Sequence, residues 1–504
     1  MSDVLLGIDI GTSACKAVAF DRNGTVRAQA SESYRVSYPH PGWAEQNPDE
    51  WWEAVCRAVQ TVLEKGIRPE DIRGIGIDGQ SWSAIAVDEN GDVLCNTPIW
   101  MDTRAADICG TMKERAGGER LFASSGNPVQ PMYTMPKVLW YKQNLPQVYA
   151  RINKILQSNS FLVYRLTGVM TQDPSQGYGW NCYNMLKGSW DRELCKELGV
   201  NPDFLPDIVP CHSIVGTVTP QAAAQTGLPA GIPVAAGGLD AACGTLGVGV
   251  IHAGETQEQG GQAGGMSICT SVCNADRRLI LGAHVVPGLW LLQGGTVGGG
   301  GAMNWFEKEF GAAERDLAAQ SGRSSFAELD RAAGQVPPGS EGLVFLPYLA
   351  GERSPIWDPN AKGVFYGIDF SKTRAHFARS VMEGVAYSLR HNLETAESAG
   401  VEAQTLRAMG GAANSSLWMQ IKADITGKRI VVPSSDTATA LGAALLAGVG
   451  TGMYPSFEAA VKATVKTKCE YMPDSAAKDV YDRGYAVYRK LYENLKSMMG
   501  EKQG

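Results

Sequence analysis

Residues 7–20 read Gly-Ile-Asp-Ile-Gly-Thr-Ser-Ala-Cys-Lys-Ala-Val-Ala-Phe, and this stretch decides the fold class. An apolar run carries Asp9 near its end, Gly11, Thr12 and Ser13 make a turn, and a second apolar run starts at Cys15. The pattern predicts strands over 4–10 and 15–20. Asp21-Arg22-Asn23-Gly24 predicts a hairpin into a third strand over 25–30, because Asn-Gly tolerates the positive φ of tight turns. Asn47-Pro48-Asp49-Glu50 then supplies a cap, a proline at the first helical position and an acid at the third. It opens a helix with Trp52, Val55, Cys56, Val59, Val62 and Leu63 on one face. A short buried strand over 72–77 follows. Three strands, a helix and a strand indicate an α/β fold with mixed sheets flanked by helices, not a sandwich or a bundle.

Working outward, residues 102–207 read as mostly helical, and 232–236 as a strand. Glycines then concentrate in clusters: Gly237-Gly238-Leu239-Asp240, Gly260 to Gly265, Gly294 to Gly301, and Gly410-Gly411-Ala412-Ala413-Asn414. The last precedes a helix with Leu417, Ile421 and Ile425 on one face. The strand, glycine turn, strand pattern of 7–18 recurs in outline at 255–271, which predicts two similar lobes with a glycine-lined cleft between them.

Composition bounds the function. The chain has 504 residues, 44% of them hydrophobic and 19% charged, so it can bury large cores and is not disordered. Glycine occurs 59 times, well above an average near 7%, without a collagen period, and so belongs to turns and backbone-lined sites. The formal charge of −7, without runs of like charge, argues against a nucleic-acid partner. No apolar run is long enough to span a bilayer and no leader is evident, so a soluble, cytoplasmic protein is expected. The 11 cysteines are scattered without a CxxC pair, and the 6 histidines are dispersed. Reduced, buried thiols and structural or solvated histidines follow, and neither a zinc site nor a local Ser/His/Asp triad is signalled.

Two motifs can carry chemistry. The Gly11-Thr12-Ser13 turn can bring backbone N–H groups and hydroxyls to phosphate oxygens, with Asp9 beside a divalent cation; a plain hairpin is the other reading. Asp240 follows a buried strand and two glycines, where a carboxylate is costly unless it binds something or works, a helix N-cap being its alternative. Phosphoryl transfer needs a carboxylate for the attacking hydroxyl, backbone donors and Mg²⁺. No GxxxxGK[ST] loop or GxGxxG fingerprint is present, which excludes P-loop and dinucleotide readings. Lys16 and Lys137 read as solvated or packing.

These motifs, with GGAANSSLWMQIKADITG and TATALGAALLA downstream, resemble the phosphate, catalytic and adenosine motifs of the actin, hexokinase and sugar-kinase superfamily. Within it, 132–144 (MYTMPKVLWYKQN) resembles the first signature of the FGGY carbohydrate kinases through Thr134, Lys137 and Trp140, with Tyr141 a mild departure. The segment 363–383 resembles the second through Gly363, Phe365, Gly367, Ile368, His376, Phe377, Ser380 and Glu383. The resemblance spans essentially the whole chain. It implies two ribonuclease H-like (actin-like ATPase) lobes: 1–249, with the sugar site and catalytic Asp, and 250–504, with the nucleotide site. It also implies ATP and Mg²⁺ as cofactors, a small sugar as substrate and a homodimer.

By the same resemblance, Asp240 is the general base and Asp9, with Asp240, positions Mg²⁺. Gly11, Thr12 and Ser13 meet phosphate, and Gly300, Gly301, Gly410, Gly411 and Asn414 flank the nucleotide. Gln80, Ser81, Trp82, Trp100 and Asp102 belong to the sugar side, where amides, carboxylates and ring faces suit sugar hydroxyls and C–H surfaces. Asp102 and Arg104 as a purely structural pair is the other reading there. Three departures bear on the substrate. Xylulose kinases, the nearest subfamily, carry Gly-Gln-Met-His-Gly where this chain has Gly-Gln-Ser-Trp-Ser, and Asn where it has Ala241. Glycerol kinases carry Arg-Glu at Ser81 and Trp82, which disfavours glycerol. The second-lobe Gly-Thr-Ser is Gly261-Gln262-Ala263, which loses a hydroxyl donor and leaves Gln262 as its substitute. A ketopentose such as D-xylulose, phosphorylated to its 5-phosphate, is the expected substrate, with ribulose, tetruloses, erythritol and gluconate as alternatives. A non-catalytic nucleotide switch or sugar sensor is the contrasting class.

Overall fold

The computed structural model describes residues 3–500. It contains two seven-stranded mixed sheets of matching core topology. In the first, Val4–Ile10 pairs antiparallel with Ala14–Asp21 and parallel with Ile72–Gly79. In the second, Glu255–Gly260 pairs antiparallel with Gly264–Thr270 and parallel with Thr405–Met409. The recurrence read near 255 is therefore a repeated strand-turn-strand unit, and each unit opens a lobe.

Both faces of the first strand are covered, which is why Val4–Ile10 is almost wholly apolar and buried instead of alternating. Helix Pro48–Glu64 is capped as its sequence requires, with the Asn47 side chain accepting the Asp49 N–H at 3.0 Å. Its buried face is broader than the expected one: Trp51, Ala54 and Ala58 are also buried, while Cys56 and Leu63 lie at its margin. The third strand runs Val26–Ser33, after a turn at Gly24 with φ 75°.

The opposite face of the first sheet receives a helix from the far end of the chain, Ala438–Gly450. The approach is close enough to demand glycine. A Cβ on Gly7 would lie 2.0 Å from the Ala440 carbonyl oxygen, and one on Gly76 would lie 1.8 Å from that of Ala443. The same helix lies against Asp240–Gly247, where a Cβ on Gly442 would fall 1.8 Å from the Cys243 oxygen. The lobes are joined through this layer of small residues. All eleven cysteines are free thiols, buried or half-buried. Among the described residues no helix is long and apolar enough to cross a membrane.

Candidate active site

The strand ends of the first sheet bring three carboxyls together. Asp9 is the register partner of Asp78 on the neighbouring parallel strand, and Asp78 is in turn the partner of Gly238, two residues before Asp240. Asp78 is fully buried, and no described residue offers its oxygens an N–H or hydroxyl. Burial, followed by the charges of Asp9 and Asp240, pushes its carboxyl well above the usual range, and burial raises Asp9 as well. Asp240 begins helix Asp240–Gly247, and its Oδ1 accepts the Ala241 N–H at 2.6 Å. Burial, with the Asp9 charge adding to it, raises the Asp240 carboxyl to about 7.

The turn beside Asp9 is braced from outside. Tyr34 donates to the Gly11 carbonyl at 2.6 Å, Gln46 to the Thr12 carbonyl at 2.8 Å, and the Trp100 indole N–H to the Thr12 hydroxyl at 2.9 Å. Trp100 occupies only a lone pair of Thr12, whose O–H is still available as a donor. Ser13 is exposed beside it.

Across the strand ends lies an aromatic box. Trp82 packs edge-on against Tyr133 and Tyr178, with centroids 4.8 and 5.7 Å away, and the two tyrosines meet each other at 5.9 Å. The Asp240 charge is felt at Tyr178. Trp82 has φ 55°, a left-handed backbone that a tryptophan adopts only when its surroundings impose it. Its backbone N–H donates to Gln176 Oε1 at 3.2 Å. Gln80 donates to Gln46 at 2.9 Å and leaves its own Oε1 buried without a partner. Ser81 is half-buried between them. Asp102 is fully buried with its oxygens occupied: Ala44 N–H donates at 2.7 Å, and Arg104 Nε at 3.0 and 2.9 Å. Its geometry is that of the structural pair.

In the second lobe a cavity of about 470 Å³ is lined by Gly261, Gln262, Gly300, Gly411 and Asn414, together with Asp330 and Trp418, which the sequence did not single out. The volume suits a small organic ligand. The N–H groups of Gly300 and Gly301 donate to the carbonyls of Gly261 and Gln262, at 2.7 and 2.9 Å. These glycines therefore shape the turn while their amides are already engaged. Gly410 has φ 88° and lies so close to Gly260 that a Cβ would come within 2.8 Å of its oxygen. Gln262 is exposed, and its side chain accepts from Asn304 at 3.4 Å.

Residues 4–247 match the model of the FGGY family of carbohydrate kinases, N-terminal domain, and residues 270–451 match the C-terminal domain of the same family. The chain belongs to the FGGY family of carbohydrate kinases. A xylulose kinase of Staphylococcus epidermidis (strain ATCC 12228 / FDA PCI 1200) is 33% identical over 504 residues, with 99% of each chain covered. A gluconokinase of Bacillus subtilis (strain 168) is 31% identical and covers 91% of this chain and 90% of its own. The crystal structure of xylulose kinase from Rhodospirillum rubrum superposes with a TM-score of 0.90 at 31% identity, covering 99% of this chain and 100% of that one.

In this carbohydrate kinase the two signature segments act as scaffolding. Buried Lys137 donates to the carbonyls of Trp82 and Ile99, and Thr134 donates to that of Ser83 at 3.3 Å. Trp140 packs edge-on against Trp43, whose ring lies 3.8 Å below the Arg104 guanidinium. In the second signature His376 closes a capping box with Thr373 at the start of helix Arg374–Ser398. Glu383 accepts from Gly339 N–H, the Ser340 hydroxyl and Arg379 at 2.8–2.9 Å.

Proposed function

We propose that this kinase transfers the γ-phosphoryl group of ATP to a hydroxyl of a small sugar, a ketopentose such as D-xylulose giving its 5-phosphate. The observation that carries the reading is a juxtaposition. Asp240 stands between the Asp9 turn on one side and the Trp82, Tyr133 and Tyr178 box on the other. A carboxyl tuned to about 7 accepts a proton near neutral pH, as a general base must. The box offers ring faces to sugar C–H surfaces, and the unpartnered Gln80 Oε1 is an acceptor for a sugar hydroxyl.

The nucleotide is assigned to the 470 Å³ cavity, with Gly300, Gly411, Asn414 and Gln262 at its wall, Gly410 shaping the turn beside it and the hydroxyls of Thr12 and Ser13 turned to phosphate. Among the described residues no group of three or more His, Cys, Asp or Glu has a metal-holding arrangement. Mg²⁺ fits nonetheless, since it needs one or two carboxylates plus phosphate and water oxygens, and Asp9 and Asp240 supply them. When bound it neutralises charge on the phosphates. Asp240 orients the hydroxyl and takes its proton, while Gln80 and the aromatic walls fix the sugar and exclude water. Trp100 and Asp102 act from behind, Trp100 by holding Thr12 and Asp102 by holding Arg104.

Similarity to proteins named xylulose kinase supports the ketopentose, and the relative named gluconokinase supports a sugar acid as the second reading. The purified protein, given Mg-ATP and D-xylulose, ribulose, a tetrulose, erythritol or gluconate, is read by coupled ADP release. Turnover dominated by D-xylulose is expected. Turnover dominated by gluconate replaces the ketopentose with the second reading, and ATP hydrolysis indifferent to every sugar removes both.

A further inference from the structure

Arg353 is an exposed residue whose guanidinium lies over the Trp100 ring and makes no hydrogen bond or ion pair with a described residue. It extends from the loop after strand Val344–Leu346. The residues on either side of it are, by contrast, tightly held. Glu352 is buried and accepts from the Thr296 hydroxyl at 2.5 Å, Val297 N–H at 2.9 Å and Arg353 N–H at 2.7 Å. Ser354 is buried and accepts the Gly295 N–H at 2.6 Å. The backbone of Arg353 is thus fixed to the end of strand Trp290–Thr296, while its side chain alone projects.

Its direction joins the two glycine turns. Thr296 is the register partner of Gly264, the residue that follows the Gly261-Gln262-Ala263 turn. On the other lobe, the guanidinium lies over Trp100, with its carbon 5.5 Å from the ring centroid, and Trp100 donates to Thr12 in the first turn. A guanidinium carries five N–H donors in a planar fork matched to phosphate oxygens, and stacking on an indole holds that fork without using its donors.

We infer that Arg353 is a catalytic residue of the second lobe that reaches across the cleft and donates hydrogen bonds to the phosphoryl group in flight. In the step it serves, the bond between the γ-phosphorus and the ADP bridging oxygen breaks and a bond to the sugar oxygen forms. The hydroxyl proton passes to Asp240, and Arg353 gives up no proton. Its contribution is charge stabilisation on the equatorial oxygens, at the place where Ala263 supplies no hydroxyl.

The inference rests on the kinase assignment and not on which sugar is used, so its test has a sugar-independent arm. Arg353→Gln and Arg353→Lys are compared with the parent by thermal melting, by affinity for Mg-ATP, and by affinity for Mg-ADP with aluminium fluoride, a mimic of the transferring phosphoryl group. Both variants are expected to melt as the parent does and to hold Mg-ATP within about threefold. Arg353→Gln is expected to lose the extra tightness toward the aluminium fluoride complex and, with whichever sugar is turned over, to lose kcat by about 10²–10⁴-fold at little changed sugar KM. Arg353→Lys should recover part of both. Unchanged aluminium fluoride affinity in Arg353→Gln would overturn the inference. So would a rise confined to the KM of a sugar acid, which would give the guanidinium to a substrate carboxylate instead.

Discussion

The ammonium of Lys137 lies 2.9 Å from the carbonyl oxygen of Trp82, and its second hydrogen bond, at 2.8 Å, reaches the carbonyl of Ile99. One buried side chain thereby ties the loop of Gln80 and Trp82 to the loop of Trp100 and Asp102. Burial brings its pKa down to about 7. Lys137→Met leaves two buried carbonyls without a donor, at a cost of about 1–3 kcal/mol each. A lower denaturant midpoint and a larger rise in sugar KM than in ATP KM are expected. Equal changes in the two KM values would make the tie a matter of stability alone.

Asp240→Asn keeps the shape of the side chain and removes its capacity to take a proton. Loss of kcat by about three orders of magnitude or more is expected, with ATP affinity and melting temperature nearly unchanged; a near-normal kcat would remove the base role. The pH profile follows from the same group. The working form is the carboxylate, so kcat/KM is expected to rise with pH through about 7 in the free enzyme and level off above it.

Two replacements separate the ring of Trp82 from its backbone. Glycine adopts the φ of 55° without strain, whereas alanine does not. Both Trp82→Gly and Trp82→Ala are expected to raise the sugar KM by roughly tenfold or more through loss of about 1.5–3 kcal/mol of ring contact, with ATP KM little changed. Of the two, Trp82→Gly should be the more stable in urea. A parallel rise in both KM values would take Trp82 out of the sugar pocket.

Gly76→Ala tests the seam between sheet and helix. The added methyl would meet the Ala443 oxygen at 1.8 Å, which only a shift of the whole helix can relieve. Destabilisation of at least about 2 kcal/mol is expected by urea titration. Gly110→Ala, exposed within helix Ala106–Ala116 with open space around it, is the control and should stabilise slightly.

Acid sensitivity should come from buried histidines. Burial lowers His284 to about 4, against the opposing pull of the Val250 carbonyl that its Nε2 faces at 2.9 Å, and its Nδ1 accepts the Val286 N–H. His391, also buried, is lowered to about 3. In the unfolded chain both take protons near 6.5. Their contribution to stability is therefore complete above about pH 6.5, falls by roughly 2 kcal/mol each by pH 5, and for His284 stops falling near pH 4. His284→Gln should flatten the dependence of the urea midpoint on pH between 6.5 and 4.5. A slope equal to the parent's would assign the acid loss to other groups.

What the sequence made legible was local. The Asp9 turn, the capped helix at Asn47 and the repeat near 255 each declare themselves within about fifteen residues. Asp78 lay in plain view at the end of a read strand, yet its meaning depends on the parallel register that sets it beside Asp9. The aromatic box joins Trp82 to Tyr133 and Tyr178, and no period links these positions. Arg353 becomes notable only through the fold, which lays its guanidinium over the Trp100 ring. Asp102 shows the converse: two roles were open from residue type, and the Ala44 and Arg104 contacts favour the structural pair.

The helix Ala438–Gly450 gives this chain a particular order of assembly. A ribosome finishes every strand of the first sheet some two hundred residues before it makes the helix that covers Gly7 and Gly76. Until then the nascent lobe carries an open, glycine-notched apolar face, and the first half of the chain completes its interior only when about nine tenths of the chain has been made. Gene truncations that end at the lobe boundary would therefore cut through the packing of the first lobe as well as remove the second.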